Sequence, residues 1–358
     1  MNNNPTPSEG LVSDLCAKWE TYIPNYARMS SQSGQIALML EAQKKYFDTA
    51  LDERTRQYFV DLCGEQWDEA FLRAYAKAVA ASKICSQVSV QPMSGPLHAV
   101  AFLTQGLVVD GSAVDALSRV VDENSDEVPE IRLKIETVGV AARNHPISAI
   151  FPSKEDMVAI QTAMGVDAPS SIMGTMLQEV IESRQRAVFG AIRDVAKEQT
   201  ISPTDEDGAH RSDRIRGAIG RACYVVHKAT MRGPSNRVVS GPALAPHVRS
   251  SVVAQKRATM HVDPMFPSDE IVCWYNGPSV IDSVAVWSPY VITARADDYK
   301  TTEEVDGERV EVMRSKLNIG MRDAITITNP SAAAMVKVPM NSDGTPLKNS
   351  PAVLTEGD

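Results

Sequence analysis

Val88-Ser89-Val90-Gln91-Pro92-Met93-Ser94-Gly95-Pro96 is the stretch whose reading decides the fold of this chain. Val88, Ser89 and Val90 make a short β-type run, and a rigid turn follows it. Pro92 and Pro96 each fix φ and carry no amide donor, while Gly95 permits backbone angles closed to other residues. The stretch therefore predicts a hinge between two elements, with helical sequence before it and β-type sequence after it.

Working upstream, Ile36, Met39, Leu40, Gln43 and Phe47 recur at helical spacing and predict a helix over 35–47. Phe71, Leu72, Tyr75 and Val79 do the same for a helix over 67–80. Residues 1–14 read as a disordered or loosely tethered arm. Downstream, 97–109 is apolar and β-like, and Ile131-Arg132-Leu133-Lys134-Ile135 alternates strictly, the mark of a strand with one wet face. Between them Asp122, Glu123, Asp126, Glu127 and Glu130 surround Pro129 as a solvated turn. Two β segments joined by a long polar excursion predict an extended hairpin.

The clearest helix is expected over 170–197, with Pro169 and Ser170 as start signals and Met173, Met176, Leu177, Val180, Ile181, Val188, Ile192 and Val195 as its apolar stripe. About 28 residues at ~1.5 Å each give a rod of about 40 Å. Asp205-Glu206-Asp207-Gly208 reads as loop, and a second helix is expected over 214–232, stopped by Gly233-Pro234. A short strand at 236–240 and a short helix at 242–251 follow. Strands are expected at 258–262, 270–275, 284–287, 291–294, 310–313 and 324–327, with Asn276-Gly277-Pro278 as a turn and Asp306-Gly307 as a two-residue hairpin signal. The tail after Asn329, rich in Pro, Ser, Asn and Gly, is expected on a surface or in a partner's groove.

The chain has 358 residues and a formal net charge of −9, enough for two compact units. Its acidic balance argues against tight duplex binding, which needs clustered Lys and Arg. The N-terminus lacks a basic region followed by an apolar core, and no apolar run approaches the ~20 residues of a membrane span. A soluble product is expected. Cys16, Cys63, Cys85, Cys223 and Cys273 are an odd, dispersed set without a CxxC pair, which disfavours a disulfide framework or a zinc site.

The patterns of catalysis are missing. Gly217 and Gly220 lie inside a predicted helix with no following GKS or GKT, and HExxH and GxSxG are absent. The six histidines are scattered; Cys223 and His227 stand at i and i+4, but two ligands do not make a metal site. Arg211, Arg214, Arg216, Arg221 and Arg232 cluster with only Tyr224 as a stacking ring, a pattern better suited to solvated faces or salt bridges than to nucleic acid. The 15 methionines suit core filling and adaptable interfaces.

Gln91-Pro92-Met93-Ser94-Gly95-Pro96 resembles a signature of the major capsid proteins of T-even-type (myovirus-like) tailed bacteriophages, a family with the HK97-like fold. Further pieces follow in the family's order. The strand 131–140 resembles its strand returning from the extended loop, and the helix 170–197 its spine helix. Met231-Arg232-Gly233 with Asn236-Arg237-Val238-Val239-Ser240, His261-Val262-Asp263-Pro264, Tyr275-Asn276-Gly277, Asp282 and Tyr290-Val291 resemble its axial-domain motifs. Asn276 stands where the family usually has Lys, and Val284 where it has Gly. Trp19, Leu40-Glu41, Gln43 and Phe47 resemble its N-terminal precursor segment, and Leu51-Asp52-Glu53 fits the family's processing rule.

The resemblance implies an α+β, HK97-like subunit. Its parts would be an N-terminal helical precursor-like segment (1–60), an N-arm (61–96) and an extended loop (97–145). A peripheral domain with the spine helix (146–200), an axial domain (201–290), and peripheral strands with a C-terminal tail (291–358) would complete it. It implies a structural head protein, not an enzyme, with no catalytic, cofactor-binding or metal-ligating residues and no cofactor. Copies would form hexameric and pentameric capsomers of an icosahedral virion shell, assembled in the host cytoplasm without a membrane. Vertex, portal, scaffold and decoration proteins would be further partners, and DNA would be enclosed without specific binding. Two other readings fit the residues: an encapsulin-like nanocompartment shell, and a soluble enzyme of unknown class.

Overall fold

The computed structural model describes residues 9–23, 33–82, 84–106, 132–150, 162–163, 165, 168–204, 211–230, 232–250, 258–305 and 308–339. The chain divides into two compact units. The first comprises Met1–His98, Gly139–Val188 and Trp287–Thr326; the second comprises Ala99–Val138, Phe189–Val286 and Ile327–Asp358. Helices and sheets are mixed in both, so the α+β expectation holds.

In the first unit, among the described residues, five helices precede the first strand: α1 (Glu9–Tyr22), α2 (Ser33–Thr49), α3 (Glu53–Cys63), α4 (Trp67–Ala81) and the single turn α5 (Ile84–Gln87). The helices at 35–47 and 67–80 are borne out within two residues. The loose-arm reading of 1–14 is corrected from Glu9 onward, because α1 forms there and buries Trp19. Helix α3 was not anticipated. Asp52 starts it in an extended conformation, accepting the Thr55 N–H at 2.9 Å, and Gly64 ends it at φ 82°, where only glycine sits without strain. Phe47, Phe59, Trp67 and Phe71 then close into an aromatic cluster; the Phe59 and Trp67 rings stack at 5.0 Å, and Phe47 meets Phe71 edge-on at 5.0 Å. Such pairs add about 0.5–1.5 kcal/mol each beyond the area they bury.

These helices accompany a four-stranded sheet ordered β1-β9-β10-β4, formed by β1 (Ser89–Val90), β4 (Arg143–Ile150), β9 (Ala285–Val305) and β10 (Glu308–Ile327). Strand β10 runs antiparallel to β4, from Lys316 opposite Ile150 to Asp323 opposite Arg143. The expected short strands at 284–287 and 291–294 are one strand, as are those at 310–313 and 324–327. Pro289 does not interrupt β9, because a proline is tolerated in a strand wherever its missing N–H is not required. The polar run 297–304 continues it as well. The Asp306-Gly307 pair between the two strands lies outside the described residues.

The second unit is built on a five-stranded sheet ordered β5-β11-β8-β6-β7: β5 (Thr200–Ile201), β6 (Arg237–Ser240), β7 (Thr259–Val262), β8 (Glu270–Trp274) and β11 (Ala333–Lys337). Strand β8 is antiparallel to both neighbours, β6 and β11. Helix α7 (Arg211–Thr230) turns Ile215, Ala218, Ile219, Ala222 and Val226 into the core, against Val238, Ile271 and Val336. The tail reading needs correction. Ala333 to Val336 are fully or almost fully buried in β11, an inner strand of this sheet. The composition of 329–358 as a whole hid this short apolar run.

Helix α6 (Ala168–Ala196) contributes residues through Val188 to the first unit and from Phe189 to the second. It begins one residue before Pro169, so Ser170 lies inside the helix rather than at its cap. The helix expected at 214–232 spans 211–230, and that at 242–251 contains α8 (Ala245–Val248), with a further helical turn at 249–250 and residue 251 outside the described residues. The acidic turn 122–130, the loop 205–208 and the end of the tail lie outside the described residues.

Candidate functional site

In the first unit the stretch 88–96 is bonded along its length. Gln91 donates its N–H to the Trp287 carbonyl at 3.0 Å and Met93 to that of Pro289 at 2.8 Å. The alternation explains the prolines: donors are needed at 91 and 93, and Pro92 falls between them. Val88, Val90 and Met93 are buried, and the Pro96 carbonyl accepts the Ala142 N–H at 2.8 Å. The hinge expected here is a pinned edge segment that links β1 to β2 (Leu97–Gly106).

Side chains of the N-terminal helices take up strand backbone further along β9. The buried Gln43 carboxamide accepts the Ile292 N–H at 2.7 Å and donates to the Ile292 carbonyl at 3.0 Å. The Thr55 hydroxyl accepts the Ala296 N–H at 2.9 Å and donates to Asp52 at 2.9 Å. Helices α2 and α3 are thus joined to the sheet by backbone-type hydrogen bonds. A buried amide left without its partner costs about 1–3 kcal/mol.

Deeper in the same unit, the fully buried Asp323 accepts hydrogen bonds from Arg184 Nε and Trp287 Nε1, each at 2.8 Å. His145 Nε2 stands 3.3 Å from its other oxygen. Burial, followed by the Arg184 guanidinium, holds the His145 imidazole below its ordinary range. Burial pushes the Tyr75 phenol, hydrogen-bonded to Met39 Sδ at 3.6 Å, well above its own. A cleft of 310 Å³ in this unit is lined by both polar and apolar groups, among them Tyr46, Asp52, Pro146, Thr293, Asn318 and Ile319.

In the second unit, β2 pairs with β3 (Arg132–Ala141) as a two-stranded ribbon, which falls in this unit from Ala99 to Val138. Ile135 is 60% exposed and Val138 37%. Three residues apart on a strand, they lie on opposite faces. Leu103 donates its N–H to the Ile281 carbonyl at 2.8 Å.

Ile281 sits in a tightly closed loop. The Gly277 N–H donates to the Asp282 carbonyl at 2.6 Å, and Asn276 bridges Ser283. A β-carbon on Gly277 would overlap the Asp282 carboxylate. Arg232 pairs with that carboxylate. The Asn236 carboxamide accepts the Asn276 N–H at 2.9 Å and donates to its carbonyl at 2.7 Å. These contacts use the backbone of Asn276, so they place no demand on the side chain at that position. The structure therefore joins motifs that lie up to 50 residues apart: Arg232 with Asp282, Asn236 with Asn276, and Gly233, at φ 148°, beside the Tyr275 ring. Asp263 is buried and accepts the Met265 N–H at 2.9 Å.

The remaining sequence candidates separate. Cys223 Sγ lies 2.8 Å from Ser235 Oγ and hydrogen-bonds Cys273, whereas His227, one turn further along α7, is exposed. Among the described residues no group of three or more His, Cys, Asp or Glu is placed to hold a metal, and the five cysteines are thiols. No helix there is long and apolar enough to cross a membrane. Of the clustered arginines, Arg216 meets Asp213 at 3.6 Å, and Arg221 donates to the Ser202 carbonyl at 2.6 Å. Gln43, Thr55 and Asp323 were not singled out as polar anchors. Gln43 alone carried a signal, as a carboxamide inside an apolar helical stripe.

A scan of protein-family models and a search of curated proteins return no match. Among solved structures, the chain is similar to a virus-like particle from Pyrococcus furiosus, at 12% identity and a TM-score of 0.45, over 78% of this chain and 100% of that one. A structure from Mycobacterium phage Cain is similar at 15% identity and a TM-score of 0.46, over 73% and 91% of the two chains. The satellite phage P4 procapsid, which includes a size-determination protein, follows at 11% identity and 0.40, over 73% and 96%.

Proposed function

We propose that this chain is a structural shell subunit, the major capsid protein of a T-even-type tailed phage with the HK97-like fold. The observation that carries this reading is the ribbon. A two-stranded sheet is marginal in water by itself, yet this one exposes apolar side chains on both faces. Such a ribbon gains by being covered, and copies of the same chain in a closed shell would cover it. The motifs at Arg232–Asn236, Tyr275–Gly277 and Asp282 support the same reading, because they converge on the loop that holds the ribbon.

On this reading the segments run as the resemblance implies: 1–60 precursor-like, 61–96 N-arm, 97–145 extended loop, 146–200 peripheral, 201–290 axial and 291–358 peripheral with the tail. Residues through 53 are retained in the finished particle, because Gln43 completes the backbone bonding of β9 and Asp52 caps the helix that Glu53 opens. Each subunit is held by several weak contacts at once, which multiply by effective concentration. Heterologous contacts that close into rings give hexamers and pentamers. Vertex, portal, scaffold and decoration proteins join them in a virion built in the host cytoplasm, around DNA that is not specifically bound. The subunit performs no reaction.

Negative-stain microscopy and sedimentation of the purified full chain test this. Closed shells or rings of capsomers are expected. A monodisperse monomer or dimer at all salt concentrations, alone and with scaffold, contradicts it, and a small shell filled with an enzyme points to a nanocompartment instead. Intact-mass measurement of particles should show residues 1–53 present.

A further inference from the structure

We propose that the Arg232–Asp282 ion pair is a latch that positions the β2–β3 ribbon, acting through the loop between Asn276 and Ser283. The inference uses only contacts within the second unit and does not depend on the shell reading.

The argument runs from the loop outward. Outside the ribbon's own pairing, β2 donates a backbone hydrogen bond from Leu103 to Ile281. Ile281 is the neighbour of Asp282, so whatever fixes Asp282 fixes the acceptor of that bond. Asp282 is fixed twice. Its backbone closes the loop, accepting from Gly277 and donating its own N–H to the Ser279 carbonyl at 3.0 Å. Its carboxylate pairs with Arg232, and the two side chains are 12% and 15% exposed. At that depth water screens the pair weakly, and removing one partner strands the other charge. Among the described residues the buried Arg232 Nη2 has no hydrogen-bond partner, so Asp282 is the acceptor on which this guanidinium depends. The second tether, Asn236 to Asn276, holds the start of the loop, and Thr328, whose hydroxyl donates to the Ser283 carbonyl at 2.5 Å, holds the residue after Asp282; the Asp282 carboxylate itself is met by Arg232.

Glycine at 277 completes the device, because only the lack of a β-carbon lets the carboxylate lie across the loop toward Arg232. With the pair intact, the Ile281 carbonyl points at Leu103. With it broken, the loop end and the ribbon loosen together while the five-stranded sheet, whose Val272, Cys273 and Val336 are fully buried, keeps its bonding.

Hydrogen exchange on the full-length chain tests this with Asp282→Asn, Arg232→Met and the charge-reversed double variant Arg232→Asp/Asp282→Arg. In both single variants the amides of Leu103 and of 132–138 should exchange about ten-fold or more faster, as expected for loss of a buried pair. The amides of Ile271–Trp274 and Ala334–Val336 should keep their rates, and the reversed pair should restore ribbon protection at least in part. Unchanged ribbon exchange in the single variants overturns the proposal. So does equal acceleration in the five-stranded sheet, which would make the pair a general stabiliser, and so does a reversed pair that leaves the ribbon as fast as in the single variants.

Discussion

Strand β9 and the β2–β3 ribbon deal with exposed backbone and apolar surface in opposite ways. Strand β9 is met by the chain itself: the stretch after β1 bonds it at Trp287 and Pro289, Gln43 at Ile292 and Thr55 at Ala296. The ribbon takes a backbone bond from Leu103 to Ile281 and leaves Ile135 and Val138 exposed. An unpaired, apolar strand surface is a template for another chain. The difference separates surface that the chain covers by itself from surface that it leaves exposed.

The strongest way to break the comparison is to remove the buried anchor of the completed region. Asp323→Ala strands the Arg184 guanidinium and orphans the Trp287 N–H, and should cost about 3–5 kcal/mol, read as a lower urea midpoint for the first unit. A midpoint within error of the parent would show that the buried cluster carries no stability. Next, Gln43→Ala leaves the Ile292 N–H and carbonyl unsatisfied and should cost about 1–3 kcal/mol. Proteolysis should then begin within residues 9–63 before it reaches the sheet. An unchanged cleavage pattern would mean that the helices hold without the carboxamide.

A smaller effect follows from His145. Its pKa is depressed in the folded state, so the fold favours the neutral ring. The associated stability is fully present above the ordinary imidazole value of 6.5 and is lost as pH falls below it toward the depressed value. The first unit should therefore melt at a lower temperature at pH 5 than at pH 8, and His145→Asn should flatten that dependence. A steeper dependence in the variant would reverse the sign of the coupling. The smallest stability effect belongs to the ribbon. Ile135→Ser replaces a solvated side chain and should change unfolding by no more than about 0.5 kcal/mol, yet assembly should fall sharply in sedimentation. Normal assembly in this variant would remove Ile135 from the contact surface.

What could be read from the sequence follows the range of the physics involved. Helices α2, α4 and α7 were legible because their apolar stripes repeat every three to four residues, a signal carried within each segment. The ribbon's return strand was legible from alternation at 131–135. Helix α3 was not, because its start depends on one Asp–Thr cap and its apolar content is low. The long strands β9 and β10 appeared as fragments because Pro289 and the polar residues 297–304 break the alternation without breaking the pairing. Strand β11 was lost in the average composition of the tail. The Asp323 cluster lay beyond reach for a different reason: Arg184 and Asp323 are 139 residues apart, and nothing local in either segment announces the other. The loop around Ile281 stands between these cases. Each of its motifs was visible, but only the fold showed that Arg232, Asn236, Asn276 and Asp282 form one structure.

The central claim is that this subunit completes its own sheet and leaves its ribbon to be completed by other copies. Electron cryomicroscopy of particles assembled from the purified chain tests it most directly. The account predicts density from neighbouring copies against both faces of the ribbon, with Ile135 and Val138 each covered. Particles in which the ribbon meets only solvent, or a chain that never assembles and shows the ribbon folded back on its own subunit, would contradict it.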